Sequence, residues 1–128
     1  MSGSWPEGIY AITLFVEDLE ATRQFYQDVF GLEPIFQDDS SAAFKFGSVI
    51  VNLLTATEAP ELIAPALVAP HGAGARMLLT IQVPDVDAVC ADLRSRGVEL
   101  LNGPVDQPWG VRTACFSDPG GHIWEIAT

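Results

Sequence analysis

Residues 16–32 read VEDLEATRQFYQDVFGL, a stretch that predicts one helix with clear ends. Asp18 suits the N-cap position, because its carboxylate can accept a hydrogen bond from a backbone N–H of the first turn. Apolar and aromatic side chains such as Leu19 and Tyr26 then recur at helical spacing. Gly31 follows at the position where helices often end in a left-handed residue. The stretch therefore predicts a helix that begins after Asp18 and ends before Gly31.

The same pattern occurs twice along the chain. Asp85 repeats the helix-starting Asp18, and Gly97 repeats Gly31 once a single residue is deleted near the helix end. Short apolar or alternating runs flank each helix, as is typical of strands. Extended segments are predicted at 9–16, 32–36, 42–46 and 49–54 in the first copy, and at 77–83, 98–101, 111–117 and 122–127 in the second. Because an internal repeat indicates a repeated structural unit, each copy is predicted to be a strand-helix-strand-strand-strand (βαβββ) module.

A single α+β domain is expected from residues 1–128, because a chain of this length buries enough surface to fold without a disulfide or a metal. Module one covers about residues 9–54 and module two about residues 77–127. Residues 55–76 are rich in Ala and Pro, and are interpreted as a surface linker with a short helical turn near residues 61–67.

The charge of the chain disfavours several kinds of partner. Seventeen acidic residues outnumber six scattered basic ones, which gives a net charge of −11. Nucleic acids and anionic membranes are recognised by basic surfaces, so neither is an expected partner, whereas a cationic ligand is mildly favoured. No apolar run approaches the length of a membrane span, and the first residues do not read as a signal peptide. With only two cysteines, the chain is predicted to be cytoplasmic with reduced thiols.

Two stretches resemble the signatures of one family. Residues 16–32 and residues 108–126, which read PWGVRTACFSDPGGHIWEI, resemble the first-module and second-module signatures of the glyoxalase/bleomycin-resistance/dioxygenase superfamily, also called the vicinal oxygen chelate fold. The resemblance implies two βαβββ modules that form a cup-shaped mixed sheet with helices on the outside, and it implies a homodimer. The family includes isomerases, dioxygenases, thiol transferases and drug binders, so the fold does not choose among these functions.

The metal-dependent members of this family place four ligands on the first and last strands of the two modules. The resemblance assigns those positions here to Ala11, Asn52, Leu78 and Glu125. Alanine and leucine side chains have no donor atom, and a divalent ion needs about three protein ligands. We therefore expect no metal and no cofactor, unless His71 in the linker or a shifted register supplies ligands.

A cup lined by both apolar and hydrogen-bonding side chains is expected on these strands, since residues two apart on a strand share a face. Such a lining is typical of small-molecule sites, and a closed core is the alternative. The candidate ligand-binding residues are Ala11, Thr13, Phe15, Asn52, Leu78, Thr80, Gln82 and Glu125, with Trp109 and Arg112 at the mouth of module two.

The residues at the mouth and the acid in the cup each have two interpretations. Trp109 and Arg112 suit a flat, conjugated ligand, or they cap the sheet and pair with an acid. Glu125 is the best catalytic candidate, as a general base or as a charge that attracts a cationic ligand group. Its structural alternative is a carboxylate hydrogen-bonded to Asn52 or Arg112, since a buried acid needs a partner.

Three functions follow from these observations. The first is metal-free sequestration of a hydrophobic or aromatic small molecule, as in bleomycin-resistance-type antibiotic-resistance proteins. The second is an enzyme, a lyase, isomerase or extradiol-type dioxygenase that uses Glu125 or an unrecognised metal site. The third is a structural or regulatory module with a filled cup. The absence of donor atoms at Ala11 and Leu78 favours the first.

Overall fold

The computed structural model describes residue 6 and residues 8–128. Module one contains β1 (Ala11–Val16), α1 (Leu19–Phe30), β2 (Phe36–Gln37), β3 (Ser41–Phe46) and β4 (Val49–Thr55). The linker holds a 3-10 turn (Ala56–Glu58) and the one-turn helix α2 (Pro60–Ile63). Module two contains β5 (Leu78–Gln82), α3 (Val86–Ser95), β6 (Leu100–Asp106), β7 (Arg112–Ser117) and β8 (Ile123–Ala127). The predicted α+β fold of two βαβββ modules is confirmed, and none of these helices is long and apolar enough to cross a membrane.

The start of each main helix is the one that the sequence predicts. The Asp18 carboxylate accepts a hydrogen bond of 3.0 Å from the backbone N–H of Ala21, and the Asp85 carboxylate accepts one of 3.0 Å from Ala88. Gly31 ends α1 with a φ of 67°, a left-handed conformation that glycine adopts without steric cost.

Each module forms its own four-stranded mixed sheet. The strand orders are β1-β4-β3-β2 and β5-β8-β7-β6. The first and last strands of each module pair in parallel, and the other pairs are antiparallel. This pairing sets Thr13 opposite Asn52 in module one and Thr80 opposite Glu125 in module two.

Three predicted segments differ from the structure. The segment 32–36 is mostly irregular, because β2 begins only at Phe36. The segment 98–101 is the start of a longer strand, β6, whose pairing with β7 shifts around Gly103, a residue with a φ of 84°. The helical turn of the linker comes earlier than 61–67, in α2.

The two modules share one core on the helix-covered sides of their sheets. The ring of Tyr26 on α1 is fully buried, and its centroid lies 5.3 Å from that of Phe44 in module one and 5.8 Å from that of Trp124 in module two. Phe30 lies 4.8 Å from Trp124 by the same measure. Burial of aromatic rings dominates the energetics of such a core, so α1 holds both sheets.

A buried carboxylate joins α1 to the turn between β7 and β8. Asp118 is 4% exposed, and accepts hydrogen bonds from the hydroxyl of Tyr26 at 2.8 Å, the indole N–H of Trp124 at 3.4 Å, and the backbone N–H groups of Gly120 and His122. Burial raises the pKa of Asp118, but the hydrogen bond and charge of His122 and the hydrogen bond of Tyr26 lower it more, so it lies below its ordinary value. Burial and the negative charge of Asp118 both raise the pKa of Tyr26.

Candidate functional site

Each sheet has one side that none of the described helices covers. On β1, Leu14 and Val16 are buried in the core, whereas Ala11 is exposed and Thr13 and Phe15 are partly exposed, as strand alternation requires. We use the term open face for the side of each sheet turned away from the core. The open face of module one carries Ala11, Thr13, Phe15, Phe36, Ala43, Lys45, Ile50, Asn52 and Leu54, and that of module two carries Leu78, Thr80, Gln82, Asn102, Thr113, Cys115, Ile123, Glu125 and Ala127.

A polar row crosses the open face of module two. Strand pairing sets Thr80, Glu125, Cys115 and Asn102 side by side. The hydroxyl of Thr80 donates a hydrogen bond of 3.0 Å to Oε1 of Glu125. Thr80 is therefore the partner of the carboxylate, and the expectation that Asn52 or Arg112 holds it is wrong. The other oxygen of Glu125 accepts no hydrogen bond within the described part of the chain, so it can serve a ligand.

Cys115 belongs to this row, although its sequence context did not single it out. Burial raises the pKa of its thiol, and the neighbouring charge of Glu125 raises it further. A thiol with a raised pKa is a poor nucleophile at neutral pH. Cys115 therefore contributes a partly buried, mostly apolar group to this face.

The donor atoms on the open faces do not fit a metal ion. Ala11 and Leu78 share these faces with Asn52 and Glu125, but their side chains have nothing to coordinate with. Among the residues that the structure describes, no group of three or more His, Cys, Asp or Glu side chains could hold a metal. His71 lies at the end of β1, where its Nδ1 is 3.4 Å from Oε1 of Glu17.

Arg112 lies on the helix-covered side of its sheet. Its guanidinium donates two hydrogen bonds of 2.9 Å to Asp87 on α3 and one of 3.0 Å to Asp106 on β6. These hydrogen bonds raise the pKa of Arg112, and they match the structural alternative of an arginine paired with acids. We therefore leave Arg112 out of the proposed ligand site. Trp109 is 72% exposed in the loop between β6 and β7.

A separate apolar cavity of about 360 Å³ lies between the modules on the helix-covered side. Its walls include Phe30, Phe46, Ile81 and Phe116, and Lys45 and Asp92 also border it. Asp92 at its edge is already paired with Arg96 at 3.0 Å. Because a specific site needs placed polar groups, the open faces are the better candidates.

Residues 8–126 match the family model of the Glyoxalase/Bleomycin resistance protein/Dioxygenase superfamily. The chain belongs to this superfamily. The resemblance carried by residues 16–32 and 108–126 is thereby confirmed. Membership establishes the fold and the family, whose name spans lyases, drug-binding proteins and dioxygenases.

Solved structures and a curated protein show the same relationship. A glyoxalase/bleomycin resistance protein/dioxygenase from Nocardioides is 27% identical, with a TM-score of 0.85 over 96% of this chain and 83% of that one. Lactoylglutathione lyase from Agrobacterium tumefaciens is 25% identical, with a TM-score of 0.77 over 95% and 93%. The virulence protein STM3117 of Salmonella typhimurium is 23% identical over 119 residues, which are 91% of this chain and 80% of that protein.

Proposed function

We propose that this protein binds a hydrophobic or aromatic small molecule on its open faces without a metal, as bleomycin-resistance-type proteins sequester drugs. One observation carries the proposal: exposed apolar side chains lie beside fixed polar groups on the side of each sheet that none of the described helices covers. Leu78 is 48% exposed, next to the row that contains Thr80 and Glu125. An apolar surface with a few placed polar groups is the usual composition of a small-molecule site.

The proposed active form is a cytoplasmic homodimer. Large apolar side chains that a single copy leaves in water include Tyr10, Phe36 and Leu78, which are 80%, 57% and 48% exposed. Apolar patches of this kind mark interaction sites. If the open face of module one in one copy covers the open face of module two in another, the two faces enclose a cup that one copy lacks.

An enzyme that uses Glu125 as a base is the second candidate. The observation that favours it is the carboxylate itself, held by Thr80 at 3.0 Å on an open face with one oxygen available. A positioned carboxylate can remove a proton from a bound substrate. Among the enzymes of the family, a metal-independent isomerase or lyase fits this site better than a metal-dependent one, because Ala11 and Leu78 offer no ligand.

The first experiment measures metal content and metal affinity of the untagged protein and of Glu125→Gln. We expect sub-stoichiometric Fe, Mn, Co, Ni and Zn in both proteins. A stoichiometric metal that disappears in the variant would overturn the metal-free proposal.

The second experiment screens flat aromatic compounds by thermal shift and follows each hit by mass spectrometry. Leu78→Gln should weaken binding, whereas Leu67→Gln, at a 92% exposed linker position, serves as the matched control and should not. Recovery of the compound unchanged supports sequestration. Conversion that stops in Glu125→Gln supports the enzyme instead.

A further inference from the structure

Lys45 is the only lysine in the chain, and it lies on the open face of module one. The other basic residues lie elsewhere: Arg23 on α1, Arg94 and Arg96 on α3, Arg76 before β5, and Arg112 on the helix-covered side of β7. Within the described residues, Lys45 is therefore the only fixed positive charge on either open face.

The ammonium group of Lys45 has no partner in the described part of the chain, where it forms neither an ion pair nor a side-chain hydrogen bond. Of the six basic residues, Arg23, Arg96 and Arg112 each pair with an acid, whereas Lys45, like Arg76 and Arg94, pairs with none of the described acids. The strand register explains why no described acid lies beside Lys45 on its own sheet. Ile50 lies directly opposite Lys45 on β4, and Ala11 lies beyond it on β1, so its row is apolar.

The side-chain amide of Asn52 is a second hydrogen-bond donor on the open face of module one, close to Lys45. It lies opposite Ala43, two residues before Lys45, so Asn52 and Lys45 are diagonal neighbours across β3 and β4. Diagonal residues on one face of an antiparallel pair are about 7 Å apart, within reach of a long side chain. The amide N–H₂ of Asn52 donates no hydrogen bond to any described residue. An ammonium and an amide can thus reach one oxyanion between them.

We propose that Lys45 and Asn52 bind the carboxylate of the ligand, whose aromatic or apolar body lies on the neighbouring side chains of this face. This assignment rests on the proposed small-molecule function and adds a chemical class to it. Phe36 and Thr13, in the row of Asn52, and Ile50 provide the apolar and polar surroundings. A hydrogen bond from an ammonium to a carboxylate is among the strong ones, and it strengthens where apolar neighbours exclude water. The ligand is therefore an aromatic or apolar carboxylate.

The test compares aromatic carboxylates with their primary amides, for example naphthalene-2-carboxylate with 2-naphthamide, by calorimetry on the full-length protein. The proteins are wild type, Lys45→Met, Lys45→Arg and the control Arg94→Met, which removes an exposed arginine from α3. Wild type should prefer carboxylates by about 10- to 100-fold, as for a hydrogen bond to a charged group. Lys45→Met should lose this preference while keeping its affinity for the amide. Lys45→Arg and Arg94→Met should retain the preference.

A spectroscopic readout uses the single lysine. Reductive ¹³C-methylation labels only Lys45 and the amino terminus, and the carboxylate, unlike the amide, should shift the Lys45 signal. Equal affinities for carboxylate and amide, or a preference that survives in Lys45→Met, overturn the assignment while the small-molecule function stands. Absence of binding by every compound of the screen overturns both. A last outcome concerns the dimer. If Lys45→Met dissociates the dimer, and the charge-swapped double variant Lys45→Glu/Glu125→Lys forms it again, then Lys45 pairs with Glu125 of a second copy. The assignment of Lys45 to a ligand carboxylate is then wrong.

Discussion

Replacing Tyr26 by Phe removes a single hydroxyl, and with it a hydrogen bond that joins the two modules. The hydroxyl donates to Oδ2 of Asp118 at 2.8 Å, and both residues are buried. A hydrogen bond to a charged group contributes about 1.5–3 kcal/mol. The Phe ring keeps the aromatic contacts, and the indole of Trp124, 3.4 Å from the same oxygen, retains part of the interaction. We expect a loss of about 2 kcal/mol in the free energy of unfolding, or a Tm lower by about 6–10 °C in a domain of this size.

The loss should depend on pH with a definite sign. The pKa of Asp118 in the folded protein lies below its ordinary value of 3.8, because His122 and Tyr26 together outweigh the effect of burial. A lowered carboxyl pKa stabilises the fold above pH 4 or so, and this contribution is lost as the pH falls through the folded-state pKa. Without the hydroxyl of Tyr26 the pKa of Asp118 is lowered less. The difference between wild type and Tyr26→Phe should therefore be larger at pH 7 than at pH 3.

Urea unfolding at pH 7 and at pH 3, followed by tryptophan fluorescence and circular dichroism, measures both effects. Tyr10→Phe is the matched control, because Tyr10 is 80% exposed and its hydroxyl makes no contact with Asp118. A difference at pH 7 of less than about 0.5 kcal/mol, or one that acid leaves unchanged, would refute the assignment of the Tyr26–Asp118 hydrogen bond as a tie between the modules.

Two further predictions concern the open face of module two and the strand that borders it. Gly103→Ala should destabilise the protein more than Gly110→Ala. Both glycines have a positive φ, which strains an alanine by about 1–3 kcal/mol. Only at Gly103 would the new Cβ also lie 2.5 Å from a backbone oxygen, that of Thr113. Equal urea midpoints for the two variants would contradict this. Because burial and the charge of Glu125 both raise the pKa of Cys115, its thiol should react slowly with a disulfide reagent at pH 8 and faster in Glu125→Gln, with Cys115→Ala as the blank. A rate that is unchanged or slower in Glu125→Gln would show that this charge does not act on the thiol.

Much of the fold was predictable because its signals are local. The helix caps at Asp18 and Asp85 accept hydrogen bonds from backbone N–H groups three residues away. Gly31 adopts the left-handed conformation that ends α1, which depends only on the residue at that position. The repeat and the alternation along β1 and β5 likewise depend on neighbours in the chain. These features fixed the two modules and assigned Thr13, Thr80 and the other candidate side chains to common strand faces.

The candidate site was predictable only in part, because its contacts join residues that are distant in the chain. Arg112 follows an aromatic residue near the expected mouth of the cup, but on β7 it shares the side of the buried Ala114 and Phe116. Its partner Asp87 comes from α3, and the sequence did not show that this helix brings an acid to that side of the sheet. The role of Thr80 as the partner of Glu125 required the register of β5 on β8.

The sequence by itself determined the repeat, the helix ends and the absence of metal-donor atoms at Ala11 and Leu78, since these depend on residue identity and on neighbours a few positions away. The tertiary structure decided which side of each sheet stays open, and that Lys45 and Asn52 share one open face with no acidic partner among the residues that the structure describes. It also decided that the Tyr26 hydroxyl on α1 meets the Asp118 carboxylate in the turn between β7 and β8. The physical reason is that a cross-strand or helix-on-sheet partner is chosen by the register and packing of segments that are brought together only when the chain folds.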